Sequence, residues 1–359
     1  MLYRKYRPQT FGGIVGQEHV TRILKGAVST GRVGHAYLFT GPRGTGKTTL
    51  ARIFAKALNC INRKENSFEP CDKCSFCIDV GLNRSLDLIE IDAASNRGID
   101  EIRNLKESAL VAAPSGKYKI FIIDEVHMLT KDAFNALLKI LEEPPSHVVF
   151  ILATTEAHKV MPTVLSRVQR FDFKKLTPKE ITHKLKEIAK AERIDIDDEC
   201  LSVIAAASDG ALRDAEVFLT KVRTSANGKI TLENALTILG LIPAKYHTEF
   251  FEYLISNNKS GAINFIQKIS SSGVDLENFT KDFLEYLRRI LIHKVSPATL
   301  ASFGDTPDQE SAKLALQIEN PKLVRMIMLF TSARAEIKNS PIVQLPLELA
   351  ILELLNNSV

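Results

Sequence analysis

The stretch that most constrains this chain is Ala36-Tyr37-Leu38-Phe39-Thr40, followed at once by Gly41-Pro42-Arg43-Gly44-Thr45-Gly46-Lys47-Thr48. The run before Gly41 is short, apolar and β-prone, the pattern of a buried strand. From Thr48 to Leu58 apolar residues recur at helical spacing. Strand, G-x-x-x-x-G-K-T and helix in that order form the phosphate-binding P-loop, and the flanking elements separate it from a chance glycine-rich turn. Gly41, Gly44 and Gly46 let the backbone wrap a polyphosphate closely, so that N–H groups and the helix N-terminus point at it. Lys47 adds a mobile charge for the β- and γ-phosphates, and the Thr48 hydroxyl can ligate Mg2+. The expected ligand is a nucleoside polyphosphate.

A second apolar strand, Tyr118 to Ile123, delivers Asp124 and Glu125 at its C-terminal end, the edge where open α/β sheets bind ligands. A surface acid pair does not usually follow such a run. Asp124 is therefore read as holding Mg2+, mostly through its waters, and Glu125 as polarising the attacking water. The strand His147 to Leu152 leads to Thr154 and Thr155, whose hydroxyls can reach a γ-phosphate or the lytic water, although two threonines there are unremarkable alone. Strands at Leu86–Asp92 and Gln169–Phe173, with helices at Ile99–Ala112 and Asp132–Glu142, complete an alternation that predicts a parallel sheet covered on both faces. Phe134, Leu137, Leu138 and Leu141 form a core stripe, and an earlier helix is expected to bury Val20, Ile23, Leu24 and Val28.

Cys60, Cys71, Cys74 and Cys77 lie close enough in sequence for a tetrahedral Zn2+ with no open position, hence a structural one. An iron–sulfur cluster is a competitor that lacks its usual further Cys-Pro, and metal-free thiols are a third reading. Cys200, alone on an apolar helical pattern, reads as core. From Thr177-Pro178-Lys179-Glu180, a capping box with proline at the first helical position, the texture turns helical, punctuated by Gly228, Gly240 and Pro243. Three domains are expected: 1–176 with the cysteine module at 60–77, 177–242, and 243–359. In the last, Val324, Met328, Leu329, Ile351, Leu352, Leu354 and Leu355 suggest amphipathic helices packed as a core or an oligomer interface. A net charge of +5 permits nucleic-acid contact without demanding it. No apolar run is long enough to span a membrane, and MLYRKYRPQTF lacks the apolar stretch of a signal peptide, so a cytoplasmic location is expected.

GPRGTGKT, the inserted cysteines, FIIDEVHML, LATTE, Ser166-Arg167-Val168 and DGALRDA at 209–215 together resemble AAA+ ATPases of the clamp-loader type, over essentially the whole chain. YRPQTF and IVGQEHV near the start fit as well. The resemblance implies an α/β AAA+ P-loop core, a helical lid and an all-helical collar domain, with ATP, Mg2+ and a structural Zn2+. It implies that Lys47 and Thr48 hold phosphates and metal, that Asp124 and Glu125 are the Walker-B pair, and that Thr155 is the first sensor. Arg213 matches the lid arginine that senses the γ-phosphate. Arg167 matches the arginine that reaches the ATP of a neighbouring subunit in trans. Val168 departs from the family's cysteine but leaves that arginine in place. The implied activity is ATP hydrolysis that opens a ring-shaped sliding clamp and loads it onto primer–template DNA. The implied partners are other clamp-loader subunits in a hetero-oligomer, expected to be a pentamer. The chain stops after the third domain, as expected of a shorter family form or a truncation. Another AAA+ motor, such as a branch-migration helicase, is the competing enzyme and calls for a C-terminal winged helix. A scaffold holding nucleotide only structurally is the third reading, and intact Lys47, Asp124, Glu125 and Arg167 speak against it.

Overall fold

β1 (Ala36–Thr40) is buried along its whole length because successive side chains feed two different cores. Tyr37 and Phe39 join Val20, Leu24 and Val28 of α2 (Glu18–Thr30) and Leu50, Ile53 and Phe54 of α3 (Lys47–Asn59). Ala36 and Leu38 join Ile102 and Leu105 of α5 (Ile99–Leu110) and Phe134, Leu137 and Leu141 of α6 (Lys131–Glu142) on the other face. The same division runs through β3 (Lys119–Asp124) and β4 (Val148–Thr154): Ile120, Ile122, Val149 and Ile151 face one way, Phe121, Ile123, Phe150 and Leu152 the other. With β2 (Leu88–Asp92) and β5 (Gln169–Asp172) they form a five-stranded sheet, all parallel, in the order β2-β3-β4-β1-β5. Cover on both faces explains why the central strands read as unbroken apolar runs. The order also sets the C-terminal ends of β3, β4 and β1 side by side.

The computed structural model describes residues 1–64, 67–225, 228–296 and 314–356, which divide into two compact units, 1–235 and 236–359. Two expectations need correction in the first unit. Ile23 is exposed, because the buried arc of α2 runs through Val20, Thr21, Leu24 and Val28, and Ile23 falls 60° outside it at 100° per residue. The second strand begins at Leu88, with Leu86 exposed before it. Beyond α7 (Pro162–Leu165) and β5, Thr177 and Glu180 close the expected capping box at the start of α8 (Pro178–Glu192). α9 (Asp198–Ala207), with Cys200 buried on it, packs on α8, and α10 (Leu212–Ser225) packs on the short N-terminal helix α1 (Leu2–Lys5). Glu192 ties these pieces by accepting bonds from Lys5, Tyr6 and Arg223, which hold its carboxyl down at about 2.

α11 (Leu232–Leu239) leads into the second unit, whose helices are α12 (Ala244–Ile255), α13 (Lys259–Ser271), α14 (Leu276–Val295), α15 (Asn320–Ile337) and α16 (Leu345–Asn356). Its core centres on Phe250, ringed by Phe265, Phe279, Phe283 and Phe330 at centroid distances of 4.9–5.7 Å. Ile351, Leu354 and Leu355 are buried as expected. Val324 and Met328 are exposed, outside the core stripe Leu323, Met326, Phe330, Ala333 and Ile337 of α15, which leaves them the interface reading rather than the core one, and Leu352 lies at the margin of exposure. Among the described residues no helix is long and apolar enough to cross a membrane.

Candidate active site and metal centre

The loop between β1 and α3 requires glycine where the chain approaches itself. Gly41 has φ 143 and a Cβ there would stand 2.4 Å from Phe173 O; Gly44 has φ 77 and its Cβ would meet that of Ala211 at 2.8 Å. Thr45 Oγ1 closes the turn by donating to Pro42 O at 2.9 Å. Lys47 Nζ folds back onto the same loop, donating to Gly41 O and Pro42 O at 2.7 and 2.8 Å. Burial lowers its pKa, while Glu125 and Asp124 pull the other way.

The adjacent strand ends supply the acids. Thr48 Oγ1 donates to Asp124 Oδ2 at 2.7 Å, and the other carboxylate oxygen accepts from the Glu125 N–H at 3.0 Å. Glu125 sits in the left-handed region at φ 48, a conformation that a non-glycine residue adopts at a cost. Its carboxylate accepts from the N–H and hydroxyl of Thr155 at 3.2 and 3.0 Å. His127, buried against the same group, has Nδ1 3.4 Å from Glu125 Oε2 and 2.9 Å from Thr154 Oγ1.

One cavity of about 850 Å3 is lined by Arg43 to Thr49, Asp124, Glu125, Arg213 and Glu216, and by Tyr3 and Arg7 of the N-terminal arm. The Arg213 guanidinium lies 4.9 Å above the Tyr3 ring, a cation–π contact. Arg7 Nε donates to Thr49 Oγ1 at 3.1 Å; burial, helped by neighbouring Arg52, brings its pKa down to about 10. Lys47, Thr48, Asp124, Glu125, Thr155 and Arg213 thus converge. Arg167 does not join them. Its guanidinium pairs with Glu142 at 2.9 Å and donates to Thr163 O at 2.7 Å, and Val168 packs against the core beside it. Glu216 carries no sequence motif that marks it for this cavity, whereas Arg7 lies within YRPQTF and His127, packed against Glu125, within FIIDEVHML.

Cys60 follows α3, and Cys71, Cys74 and Cys77 surround the start of α4 (Ser75–Gly81). Their four Sγ atoms all lie within 4.8 Å of one another, and none is in a disulfide. A tetrahedral ion with Zn–S bonds of about 2.3 Å needs sulfurs roughly 3.8 Å apart, so the donor set fits a single Zn2+. Backbone N–H groups already serve the sulfurs: Cys71 N donates to Cys60 Sγ at 3.2 Å and Cys74 N to Cys71 Sγ at 3.3 Å. Against the upward push of burial, the N–H groups of Lys73 and Cys74 bring the Cys71 thiol down to about 6. Burial pushes Cys60 and Cys77 up, with neighbouring thiolates adding to the push. A divalent cation reverses that opposition by balancing the charge of the set.

A P-loop sheet that presents acids beside the loop and continues into a helical lid has the AAA+ architecture. Residues 180–218 match the family profile described as the DNA polymerase III clamp loader subunit, ATPase lid domain. Residues 16–177 match that of the DNA polymerase III delta subunit, and 230–358 that of DNA polymerase III subunits gamma and tau domain III. The chain is 40% identical to DNA polymerase III subunit tau of Bacillus subtilis, across 99% of this chain and 63% of that one. It is 36% identical to subunit tau of Escherichia coli, across 99% and 55%. It is 34% identical to DNA polymerase III subunit gamma of Buchnera aphidicola subsp. Acyrthosiphon pisum, across 99% and 98%. The chain belongs to the DNA polymerase III gamma/tau subunit family. It spans less than two thirds of the tau relatives' length. Among solved structures, the Thermotoga maritima RuvB Holliday junction branch migration motor aligns over 75% of this chain and 86% of that one at 20% identity and TM-score 0.49, too loosely to bear on function.

Proposed function

We propose that the chain is an ATP-driven motor subunit of the bacterial clamp loader. It binds and hydrolyses ATP and, with other clamp-loader subunits in a hetero-oligomer (expected to be a pentamer), opens a sliding clamp and loads it onto primer–template DNA. The observation that carries this reading is the 2.7 Å bond between Thr48 Oγ1 and Asp124 Oδ2, with Glu125 beside it and the P-loop above. Those two oxygens would hold a Mg2+, which neutralises charge on the β- and γ-phosphates when bound.

Lys47 and the loop N–H groups orient the phosphates. Glu125 polarises the attacking water once Thr155 releases its carboxylate. Arg213 leaves the Tyr3 ring for the γ-phosphate as the lid closes. Arg167 acts on the ATP of a neighbouring subunit, a role supported by its position away from this chain's own cavity. Cys60, Cys71, Cys74 and Cys77 hold one structural Zn2+ with no catalytic part. Residues 1–176 form the ATPase domain, 177–242 the lid and 243–359 the collar, where exposed Val324, Met328 and Leu349 supply an oligomer face. The setting is the cytoplasm.

The test is phosphate release by the chain assembled with its partner subunits, with and without clamp and primed DNA. Turnover should rise when both are present. An assembly that binds ATP but releases no phosphate under any combination overturns the reading.

A further inference from the structure

The segment between Cys60 and Asn83 meets the cavity in two ways. α4 ends on the cavity itself, where Val80, Gly81 and Asn83 line it together with Lys47 and Thr48. The loop before α4 grips the N-terminal arm. Glu69 accepts the backbone N–H groups of Phe11 and Gly12 at 2.8 and 3.0 Å. Lys56, with its side chain only 3% exposed, donates to Gln9 Oε1 and to the Asp72 carboxylate, the latter at 2.6 Å. Phe68 packs edge-on against Phe11, and Lys25 Nζ lies 4.6 Å above the Phe68 ring. The arm held this way carries Arg7, which is bonded to Thr49 one residue beyond the P-loop, and Arg7, Pro8 and Gln9 wall the cavity.

Glu69 and Asp72 flank Cys71, so their placement depends on how the cysteine loop is closed. If that loop opened, Lys56 would be a buried cation without its carboxylate, a costly state. The arm would also lose its backbone anchors at Phe11 and Gly12. We propose that the cysteine module buttresses this wall of the nucleotide cavity, so that metal on the four thiolates and nucleotide on the P-loop each tighten the other's binding. Glu69, Asp72 and Lys56 are the positioning residues. The proposal rests on the nucleotide and zinc readings above and adds a coupling between them, which must be reciprocal.

Mant-ADP affinity is measured on the zinc-loaded chain and on chain stripped with a chelator. Zinc affinity is measured by competition with a chromophoric chelator, with and without saturating ADP. Stripping should weaken mant-ADP binding by roughly 5- to 50-fold, within the usual range of such couplings, and ADP should tighten zinc by the same factor. Because stripping can also unfold the chain, a second arm uses Glu69→Ala/Asp72→Ala, which keeps all four cysteines. That variant should retain zinc and bind mant-ADP as weakly as the stripped wild type. Wild-type affinity in the zinc-loaded double variant overturns the proposal, as does equal mant-ADP binding by loaded and stripped wild type. A loaded wild type that binds no mant-ADP refutes the nucleotide reading and the coupling together, whereas nucleotide binding indifferent to zinc refutes the coupling alone.

Discussion

Glu216 gives the lid a measurable signature. It lies on α10 one turn beyond Leu212 and Arg213, lines the cavity with them, and is only 5% exposed. Burial lifts its carboxyl from 4.5 to about 7, against the pull of Lys184. Between those values the folded chain keeps a proton that the unfolded chain has lost. The contribution to stability is therefore complete below pH 4.5 and is lost as pH rises through 7. At about 1.4 kcal/mol per pH unit the loss comes to roughly 3 kcal/mol. Glu216→Gln preserves shape and cannot ionise. In denaturant unfolding of the full chain, read at the transition of the sheet-bearing unit, variant and wild type should be about equally stable near pH 4.5. By pH 8 the variant should lead by about 3 kcal/mol. A difference that stays constant across this range refutes the argument, because it would mean that Glu216 titrates alike in both states.

Glu125→Gln should keep ATP bound, since its neighbours Lys47 and Thr48 are intact, while single-turnover hydrolysis stops; normal hydrolysis would displace Glu125 from its role. Mixing Arg167→Ala chains with Lys47→Ala chains in one assembly should give turnover only where an intact Arg167 faces an intact Lys47. Loss of ATP binding by the isolated Arg167→Ala chain would refute the trans role. In the second unit, burial, with Arg289 adding, brings His247 down to about 4, and its buried Nε2 has no hydrogen-bond partner among the described residues. Because the folded value lies below 6.5, that stability is complete above pH 6.5 and is lost as pH falls through 4, by roughly 3 kcal/mol. His247→Phe, which keeps a ring against Phe279, should flatten that dependence; an unchanged slope in unfolding measurements between pH 4 and 6.5 rules the histidine out.

Strand, loop and helix around Lys47 were legible because each P-loop requirement is local in sequence, and the Asp124–Glu125 pair for the same reason. The convergence of Cys60, Cys71, Cys74 and Cys77 was legible from spacing, because the four thiols are close in the chain. What the pattern could not give was any contact made at a distance. Tyr3 under Arg213, Glu69 on Phe11 and Gly12, and Lys56 between Gln9 and Asp72 tie the N-terminal arm to residues far along the chain, and neither partner's own sequence names the other. Buried Glu216 reads as an ordinary exposed helix acid until the cavity wall is assembled around it. Ile23 misled for another reason. Apolar identity does not fix which 100° arc of a helix meets the core when candidates lie on both flanks.

The strand order has a consequence for synthesis. β1 lies between β4 and β5, so the strand that launches the P-loop has no sheet neighbour until residue 154 has left the ribosome. That is about 110 residues after Thr40, or on the order of 6–20 s of translation at bacterial and eukaryotic rates. During this interval Tyr37, Leu38 and Phe39 sit on a nascent strand with both edges open, while β2 and β3 can already pair with each other. The interval is a window for capture by a chaperone or for pairing with another nascent chain. A translational pause before residue 148 would lengthen it, whereas one after residue 172 would not.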